Sequence, residues 1–265
     1  MAGHTDSASF EKPAEAYDRF VGRYGPQLAQ GMIGRVGVER GWSVLDVGCG
    51  PGALTGALAE AVGTGRVAAV DPSESFTAAC RARVPSAEVT LASAESLPFP
   101  DDAFDAAMSQ LVVNFMADAP TGVREMRRVT RPGGTVAASV WDYAGGMTML
   151  RTFWEAAGAL DPTRATLLDE GNRMPYCEPD SLAALLTDAG LRDVAAEPLV
   201  VRAAYRDFAD LWEPFTAGIG PAGAYCTSLD DQGRQALEAE FSARLGSPDG
   251  PFELSARAWL ARGTV

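Results

Sequence analysis

The segment that most constrains the fold of this chain is a glycine-rich turn, Gly48-Cys49-Gly50-Pro51-Gly52. It follows the short apolar run 43–47, which is typical of a buried parallel strand, and it precedes a predicted helix over 53–61. Glycines at the carboxyl end of a first strand let the backbone approach a ligand where open α/β sheets bind ligands. The segment therefore predicts an α/β fold with a ligand at this turn.

Strands and helices alternate through the first half of the chain. Apolar runs predict further strands over 67–70, 89–92, 104–109 and 135–141, and amphipathic patterns predict helices over 17–36, 73–83 and 121–130. Pro132-Gly133-Gly134 is predicted to turn the chain into the fifth strand. This alternation predicts βαβ units and a parallel sheet.

The alternation stops after Trp141. Later patterns predict helices over 181–189, 207–215 and 230–245 and strands over 194–203 and 252–261. We therefore predict a Rossmann-like, mostly parallel seven-stranded sheet with helices on both faces and a partly helical cap. The predicted organisation is one domain over 1–265, with a core at 15–141 and a substrate cap at 142–177 and 205–245. Gly145-Gly146 is a predicted hinge, so we expect the segment after Trp141 to be mobile without substrate.

Charge and composition exclude several classes of protein. With 22 basic and 35 acidic side chains the formal net charge is −13, which disfavours a nucleic-acid partner. No run of 18 apolar residues predicts a membrane span, and the N-terminus lacks the apolar segment of a secretory signal. The four cysteines form no C-x-x-C pair, which fits a reducing compartment. We expect a soluble cytoplasmic protein with a small-molecule substrate, whose oligomeric state is open.

Two residues at the glycine turn favour a cationic ligand over a dinucleotide. Asp46 would repel a phosphate and attract an ammonium group, and Pro51 removes one N–H donor from the turn. Asp71 ends the next strand 19 residues after Gly52 (71 − 52), the spacing of an acid that accepts ribose hydroxyls. The alternatives are a dinucleotide site, which these residues disfavour, and a structural turn without a ligand.

Residues 45–52, Leu45-Asp46-Val47-Gly48-Cys49-Gly50-Pro51-Gly52, resemble the first motif of class I methyltransferases that use S-adenosylmethionine (SAM). Segments 70–73, 94–99 and 128–134 resemble later motifs of the same family. The resemblance covers about residues 15–141 and is closest to the small-molecule methyltransferases of the ubiquinone/menaquinone-biosynthesis group. It implies SAM as the cofactor and methyl transfer as the reaction.

The resemblance also implies a set of cofactor-binding residues. The methionyl part would lie near Asp46 and against Gly48, Cys49, Gly50 and Gly52, and the ribose would bond to Asp71. Pro72 or Ser73 would lie beside the adenine, whose edge would border Ser93, Ala94 and Glu95. Gln110 and Leu111 would lie near the methionyl chain and the methyl group, and Tyr17 and Tyr24 would close over the cofactor. The family usually carries an acid where this chain has Ser93. The contact to the adenine amino group would then come from Glu95 or from the Ser93 hydroxyl.

The chemistry has to proceed without a histidine base, because His4 is the only histidine. Displacement at a sulfonium methyl needs mainly a positioned nucleophile, so no catalytic residue is singled out. No metal is expected, because the fourth strand ends in Ser109-Gln110 and Asp142 is the only acid that follows the fifth. Asp142, Tyr143 and Glu155 are candidate bases, each with a structural role as its alternative. We predict methyl transfer to a small, apolar or aromatic metabolite, with the methylated atom left open. The alternative is a SAM-binding protein without methyl transfer, acting as a sensor or as a different SAM-assisted catalyst.

Overall fold

The computed structural model describes residues 19–265, in which seven strands form one sheet. The strands are β1 (Ser43–Val47), β2 (Arg66–Asp71), β3 (Glu88–Leu91), β4 (Phe104–Gln110), β5 (Thr130–Trp141), β6 (Arg192–Tyr205) and β7 (Phe252–Thr264), in the order β3-β2-β1-β4-β5-β7-β6. The ladders from β3 through β2, β1 and β4 to β5 are all parallel. The predicted seven-stranded, mostly parallel α/β sheet is confirmed.

Ten α-helices are found among residues 19–265. They are α1 (Gly25–Val36), α2 (Ala53–Val62), α3 (Glu74–Arg83), α4 (Ala119–Val129), α5 (Thr148–Leu160), α6 (Pro162–Leu168), α7 (Pro179–Asp188), α8 (Phe208–Thr216), α9 (Gly220–Thr227) and α10 (Asp231–Arg244). None of them is long and apolar enough to cross a membrane. The strands and helices predicted between 43 and 130 lie within two residues of these bounds.

One continuous helix was predicted over 17–36. Over residues 19–36, which the structure describes, this prediction was wrong. A 3₁₀ turn at Val21–Tyr24 precedes α1, which begins only at Gly25. Pro26 explains the break, because proline lacks an N–H group and disfavours helical geometry in the residue before it, yet suits the first turn of a new helix.

The predicted turn at 132–134 was also wrong, because β5 already begins at Thr130. Gly133 has a positive φ of 79° but donates its N–H to the Val265 carbonyl oxygen at 3.0 Å, and the Val265 N–H donates to the Gly134 carbonyl oxygen at 3.0 Å. The glycines therefore bend a strand that pairs with the end of the chain. Helices α5, α6 and α9 were missed. α6 and α9 have only seven and eight residues, whereas α5 has a regular buried face that was not recognised in the sequence.

The chain divides into two compact units. The sheet unit comprises 25–140, 175–199 and 258–265, and the aromatic unit comprises, in its described part, 19–24, 141–174 and 200–257. The aromatic unit overlaps the ranges predicted for the cap. Its core is a group of packed rings, in which Phe153 stacks on Phe215 with centroids 4.6 Å apart and meets Phe241 edge-on at 5.8 Å.

Within the sheet unit, β1 has β2 on one side and β4 on the other. Strands β2 and β3 are added on one side of β1, and β4 and β5 on the other, so the strand order reverses at the β1–β4 pair. In open α/β sheets the crevice outside the carboxyl ends of such a pair is the place where ligands bind. The glycine turn follows β1 at this position.

Candidate functional site

The turn after β1 requires glycine at three positions. Gly48, Gly50 and Gly52 have φ values of 77°, 50° and 97°, which L side chains rarely adopt. A Cβ on Gly48 would lie 2.5 Å from side-chain atoms of Val112, whereas a Cβ on Gly50 would meet nothing within 4 Å. The turn is thus tightly packed beneath Gly48 and open at Gly50.

The N–H groups of the turn are all used within the protein. Gly48 and Cys49 donate to the Val70 carbonyl oxygen at 2.8 and 2.9 Å, Gly50 donates to Asp71 Oδ2 at 2.9 Å, and Gly52 donates to the Cys49 carbonyl oxygen at 2.9 Å. Pro51 has no N–H group. A pyrophosphate needs several free backbone donors, and this turn offers none from 48 to 52.

Asp46 lies beneath the turn on β1 and is fully buried. Its Oδ2 accepts the Thr55 hydroxyl at 2.6 Å, and the Thr55 N–H also donates to it. Its Oδ1 is buried and has no hydrogen-bond partner in residues 19–265. Burial raises the pKa of Asp46 to about 7, although the hydrogen bonds from Thr55 oppose this shift. A buried carboxylate oxygen without a donor fits a cationic ligand group and repels an anionic one.

Asp71, at the end of β2, joins the glycine turn to the following loop. Its Oδ2 accepts the Gly50 N–H and its Oδ1 accepts the Ser73 N–H, both at 2.9 Å. Burial raises the pKa of the Asp71 carboxyl, while these two backbone donors lower it in part. Because a carboxylate has about four acceptor sites, Asp71 retains the capacity to accept ribose hydroxyls.

The two residues after Asp71 differ in exposure and partners. Pro72 is exposed, and Ser73 is half-buried. The Ser73 hydroxyl accepts the Phe76 N–H at 3.4 Å and caps the start of α3. Ser73 therefore has a local structural role whether or not it contacts adenine.

Ser93 and Glu95 bond to each other. The Ser93 hydroxyl donates to Glu95 Oε2, and Glu95 Oε1 accepts the Asp118 N–H at 3.1 Å. Burial opposes ionisation of Glu95, but these donors outweigh it and lower the pKa of that carboxyl. Ala94 between them is buried. Both residues proposed for the adenine amino group are thus already hydrogen-bonded within the sheet unit.

The chain leaves β4 in a strained conformation. Leu111 has a φ of 65°, unusual for a residue with a branched side chain, and its N–H donates to the Ser139 carbonyl oxygen at 2.9 Å. Gln110 Nε2 donates to the Gly25 carbonyl oxygen at 3.3 Å, while its buried Oε1 has no partner in the described chain. Backbone strain of this kind is concentrated at ligand sites.

Of the two predicted tyrosines, Tyr17 lies outside the described residues. Tyr24 is fully buried in the aromatic unit, where its hydroxyl lies 3.0 Å from that of Tyr205 and its ring meets Trp141 edge-on. Burial raises the pKa of Tyr24. Its role over the cofactor stays a prediction.

The candidate bases have structural partners in the aromatic unit. Asp142 is buried and pairs with Arg257 at 2.5 Å, and Glu155 is exposed and pairs with Arg244 at 3.6 Å. Tyr143 is buried. Asp142 Oδ1 also accepts the Gly145 N–H at 3.0 Å, and the Arg257 N–H donates to the Gly146 carbonyl oxygen at 2.9 Å. These bonds fix both predicted hinge glycines in this conformation.

Several functional neighbours could not be found from the sequence. Thr55 and Val112 complete the turn, and Cys80 lies 3.0 Å from the position of a Cβ on Gly52. In the aromatic unit Glu170 is almost fully buried and accepts the Trp154 indole N–H. No local pattern marks these residues, because their roles depend on contacts distant in sequence.

No group of three or more His, Cys, Asp or Glu side chains within 19–265 is arranged to hold a metal ion.

Comparison with known proteins gives one consistent result. A family model described as a methyltransferase domain matches residues 45–138, from β1 into β5. The ubiquinone/menaquinone biosynthesis C-methyltransferase UbiE of Burkholderia orbicola is 34% identical over 173 residues, which cover 60% of this chain and 71% of that protein. The malonyl-[acyl-carrier protein] O-methyltransferase of Pseudescherichia vulneris is 31% identical over 150 residues, 57% of this chain and 58% of that protein.

A solved structure shows the same fold over most of the chain. It is that of Haemonchus contortus phospholethanolamine N-methyltransferase 2 in complex with phosphomonomethylethanolamine and S-adenosylhomocysteine, with a TM-score of 0.55 and 16% identity. It covers 90% of this chain and 52% of that one. The chain spans only 34%, 58% and 62% of the length of three curated relatives that it matches.

Proposed function

The chain belongs to the class I SAM-dependent methyltransferases, and from that premise we propose that it binds SAM at the glycine turn and transfers the methyl group to a small-molecule acceptor. The observation that carries this proposal is the hydrogen bonding of the turn. Its N–H groups are committed to protein acceptors, and Asp46 beneath it has a buried oxygen without a donor. That combination favours a cationic ligand over a pyrophosphate.

The residues of the turn fit the parts of SAM. The methionyl ammonium would lie on the side of Asp46, and Asp71 would accept the ribose hydroxyls while holding Gly50. Bound SAM would supply the methyl group and its own good leaving group. The protein would then hold an acceptor in line with the methyl group and exclude water, and this positioning provides most of the acceleration.

We propose an apolar or aromatic small molecule as the acceptor. One relative acts in ubiquinone/menaquinone biosynthesis and another on malonyl-[acyl-carrier protein], so C- and O-methylation are both represented in the relatives. The aromatic rings of the aromatic unit support an apolar partner. They pack mainly on each other, so the acceptor would use their edges.

Binding is tested first, by isothermal titration of the full chain with SAM, S-adenosylhomocysteine (SAH) and NAD. We expect heats for SAM and SAH and none for NAD; NAD binding without a SAM signal would contradict the proposal. Turnover is tested by measuring SAH release with a panel of phenols, quinols and carboxylic acids. Release that survives EDTA supports positioning without a metal, and SAM binding with no release on any acceptor favours the non-methylating alternative.

A further inference from the structure

One segment of the sheet unit contacts both loops that we propose to bind SAM. It is the β4–α4 segment, residues 111–118, which joins these two elements. It begins at Leu111, whose φ of 65° turns the chain directly after β4 while its N–H donates to the Ser139 carbonyl oxygen at 2.9 Å. It ends at Asp118, whose side chain caps the start of α4. Both ends of the segment are therefore fixed to the sheet unit.

The first contact of the β4–α4 segment is with the glycine turn. Both Cγ atoms of Val112 lie 2.5 Å from the position of a Cβ on Gly48, so the Val112 side chain fills the space beneath Gly48. The Val112 carbonyl oxygen accepts the Phe115 N–H at 2.8 Å in the following 3₁₀ turn. The strained backbone of Leu111 directly precedes Val112, and strain of this kind persists only where the surrounding structure requires it.

The second contact is with the loop predicted to border the adenine. The Asp118 N–H donates to Glu95 Oε1 at 3.1 Å. Met116 Sδ lies 2.6 Å, and Ala94 Cβ 3.5 Å, from the position of a Cβ on Gly122 near the start of α4. Met116 and Ala94 thus pack against the same point of that helix. The segment therefore reaches two loops that are far apart in sequence.

From these contacts we propose that the β4–α4 segment sets the spacing between the two loops that hold SAM. Val112 positions the glycine turn for the methionyl half, and Met116 positions the adenine loop, residues 93–97, for the adenosine half. The inference rests on the proposed function, because it names the residues that position the loops of that same site. Both are positioning residues, since each acts through the loop against which it packs.

A ligand that is recognised at both ends is sensitive to the spacing of its two binding loops. Side chains in a binding site are held to within about 0.5 Å by the residues that pack behind them. Loss of the Val112 branches would let the glycine turn shift while the adenine loop stays in place. A change at one end of the segment should therefore affect one half of the ligand more than the other.

The experiment compares SAH with 5′-methylthioadenosine (MTA), which contains the adenine, ribose and sulfur of SAH but lacks its amino and carboxyl groups. Isothermal titration of the full chain gives the affinity for each ligand. In Val112→Ala, SAH should bind about tenfold more weakly and MTA less than about threefold more weakly, because only the methionyl half loses its support. In Met116→Ala, both ligands should weaken by the same factor, about fivefold, because they share the adenosine half.

Two further variants separate positioning from stability. Val112→Thr keeps the branched shape of valine and should bring SAH affinity back to within about twofold of the natural chain. Val62→Ala is the matched control, because Val62 is a buried valine at the end of α2 far from the glycine turn. It should lower stability and leave both affinities unchanged.

Equal losses of SAH and MTA affinity in Val112→Ala, or no loss, would overturn the inference. MTA that does not bind the natural chain would also overturn it, since the adenosine half would then have no site of its own. If Val112→Ala does not fold, Met116→Ala still decides, because a greater loss for SAH than for MTA there contradicts the assignment. Failure of the natural chain to bind SAH would refute the proposed function instead.

Discussion

Each of the two units buries one carboxyl group whose pKa is raised to about 7 by burial, Asp46 in the sheet unit and Glu170 in the aromatic unit. Their partners differ. Asp46 keeps one buried oxygen without a donor, whereas Glu170 accepts an indole N–H from Trp154 within a group of packed rings. The pKa is raised to about 7 in both carboxyl groups, but Asp46 lacks a donor to one oxygen and Glu170 has a side-chain donor.

The presence or absence of a donor indicates which unit is arranged for a polar ligand. An unpartnered buried oxygen is unfavourable in a folded protein unless a ligand supplies the missing donor. We therefore interpret Asp46 as part of a binding site and Glu170 as a buried acid that positions Trp154. The predictions below separate the two units by asking which changes affect SAH binding and which affect stability.

The strongest effect that we predict is a loss of stability in the aromatic unit. Trp154→Ala removes a buried ring that packs against Phe153 and Tyr225, and it should lower the free energy of unfolding by about 3–5 kcal/mol. SAH affinity should change far less, because this ring lies outside the sheet unit, where we propose that SAM binds. Urea unfolding and SAH titration measure the two quantities. Trp154→Phe keeps a ring but removes the donor to Glu170, so it should show a smaller loss; a large loss of SAH affinity in either variant would contradict the division of roles.

The second prediction is a loss of SAH affinity when the glycine turn is changed. Gly48→Ala places a Cβ 2.5 Å from Val112 at a φ of 77°, so strain and overlap together should weaken SAH binding by about 2–4 kcal/mol. Gly133→Ala is the matched control, since Gly133 has a φ of 79° and nothing within 4 Å of its Cβ position. The control should lose stability through backbone strain and keep its SAH affinity. Equal SAH affinity in both variants would show that the close packing of Gly48 does not matter.

The turn and the five parallel strands were predictable because their requirements are local. Positive φ values select glycine, and buried parallel strands need continuous apolar runs, so Gly48–Gly52 and β1 can be found from neighbouring residues alone. The contacts from Val112 to Gly48 and from Cys80 to Gly52 join positions tens of residues apart. No local pattern in the sequence indicates such pairs.

The aromatic unit was harder to predict. Its helix α5 has one regular buried face, but that face packs against rings from α8, α9 and α10, which lie far from it in sequence, so no local pattern indicates how these helices assemble. Gly145-Gly146 suggested mobility, yet a Cβ on Gly146 would lie 2.4 Å from the Arg257 Cβ. Close packing against Arg257 thus requires glycine at position 146 whether or not the segment moves, and its mobility stays a prediction.

The third prediction concerns the carboxylate that joins two loops. Asp71→Ala removes the proposed ribose acceptor and the acceptor for the Gly50 N–H, and it should weaken SAH binding by about 1.5–3 kcal/mol. Asp105→Ala is the matched control, because Asp105 also accepts a backbone N–H, from Ser43 at 2.7 Å, near the amino end of β4. The control should keep its SAH affinity. Unchanged affinity in folded Asp71→Ala would refute the assignment.

The smallest effect is a pH dependence that originates at Asp46. The folded-state pKa of about 7 lies above the unfolded value of about 3.9, so the native state binds the extra proton between these values. The stability contribution of Asp46 is therefore greatest at low pH and declines as the pH rises from about 4 to about 7. Binding should have the opposite sign, because the ligand ammonium favours the ionised carboxylate. SAH affinity should rise with pH by up to tenfold per unit below 7, about 1.4 kcal/mol, and level off above it.

Glu170 in the aromatic unit has a similarly raised pKa, so it provides a control for the pH dependence assigned to Asp46. Asp46→Asn should flatten the pH profile of SAH affinity between 5.5 and 8. Glu170→Gln removes a carboxyl with the same pKa shift but with a protein donor, so it should leave that profile unchanged and alter only the pH dependence of stability. If both variants flatten the binding profile, the two buried acids act on one ligand, and the separation of polar recognition from aromatic packing is wrong.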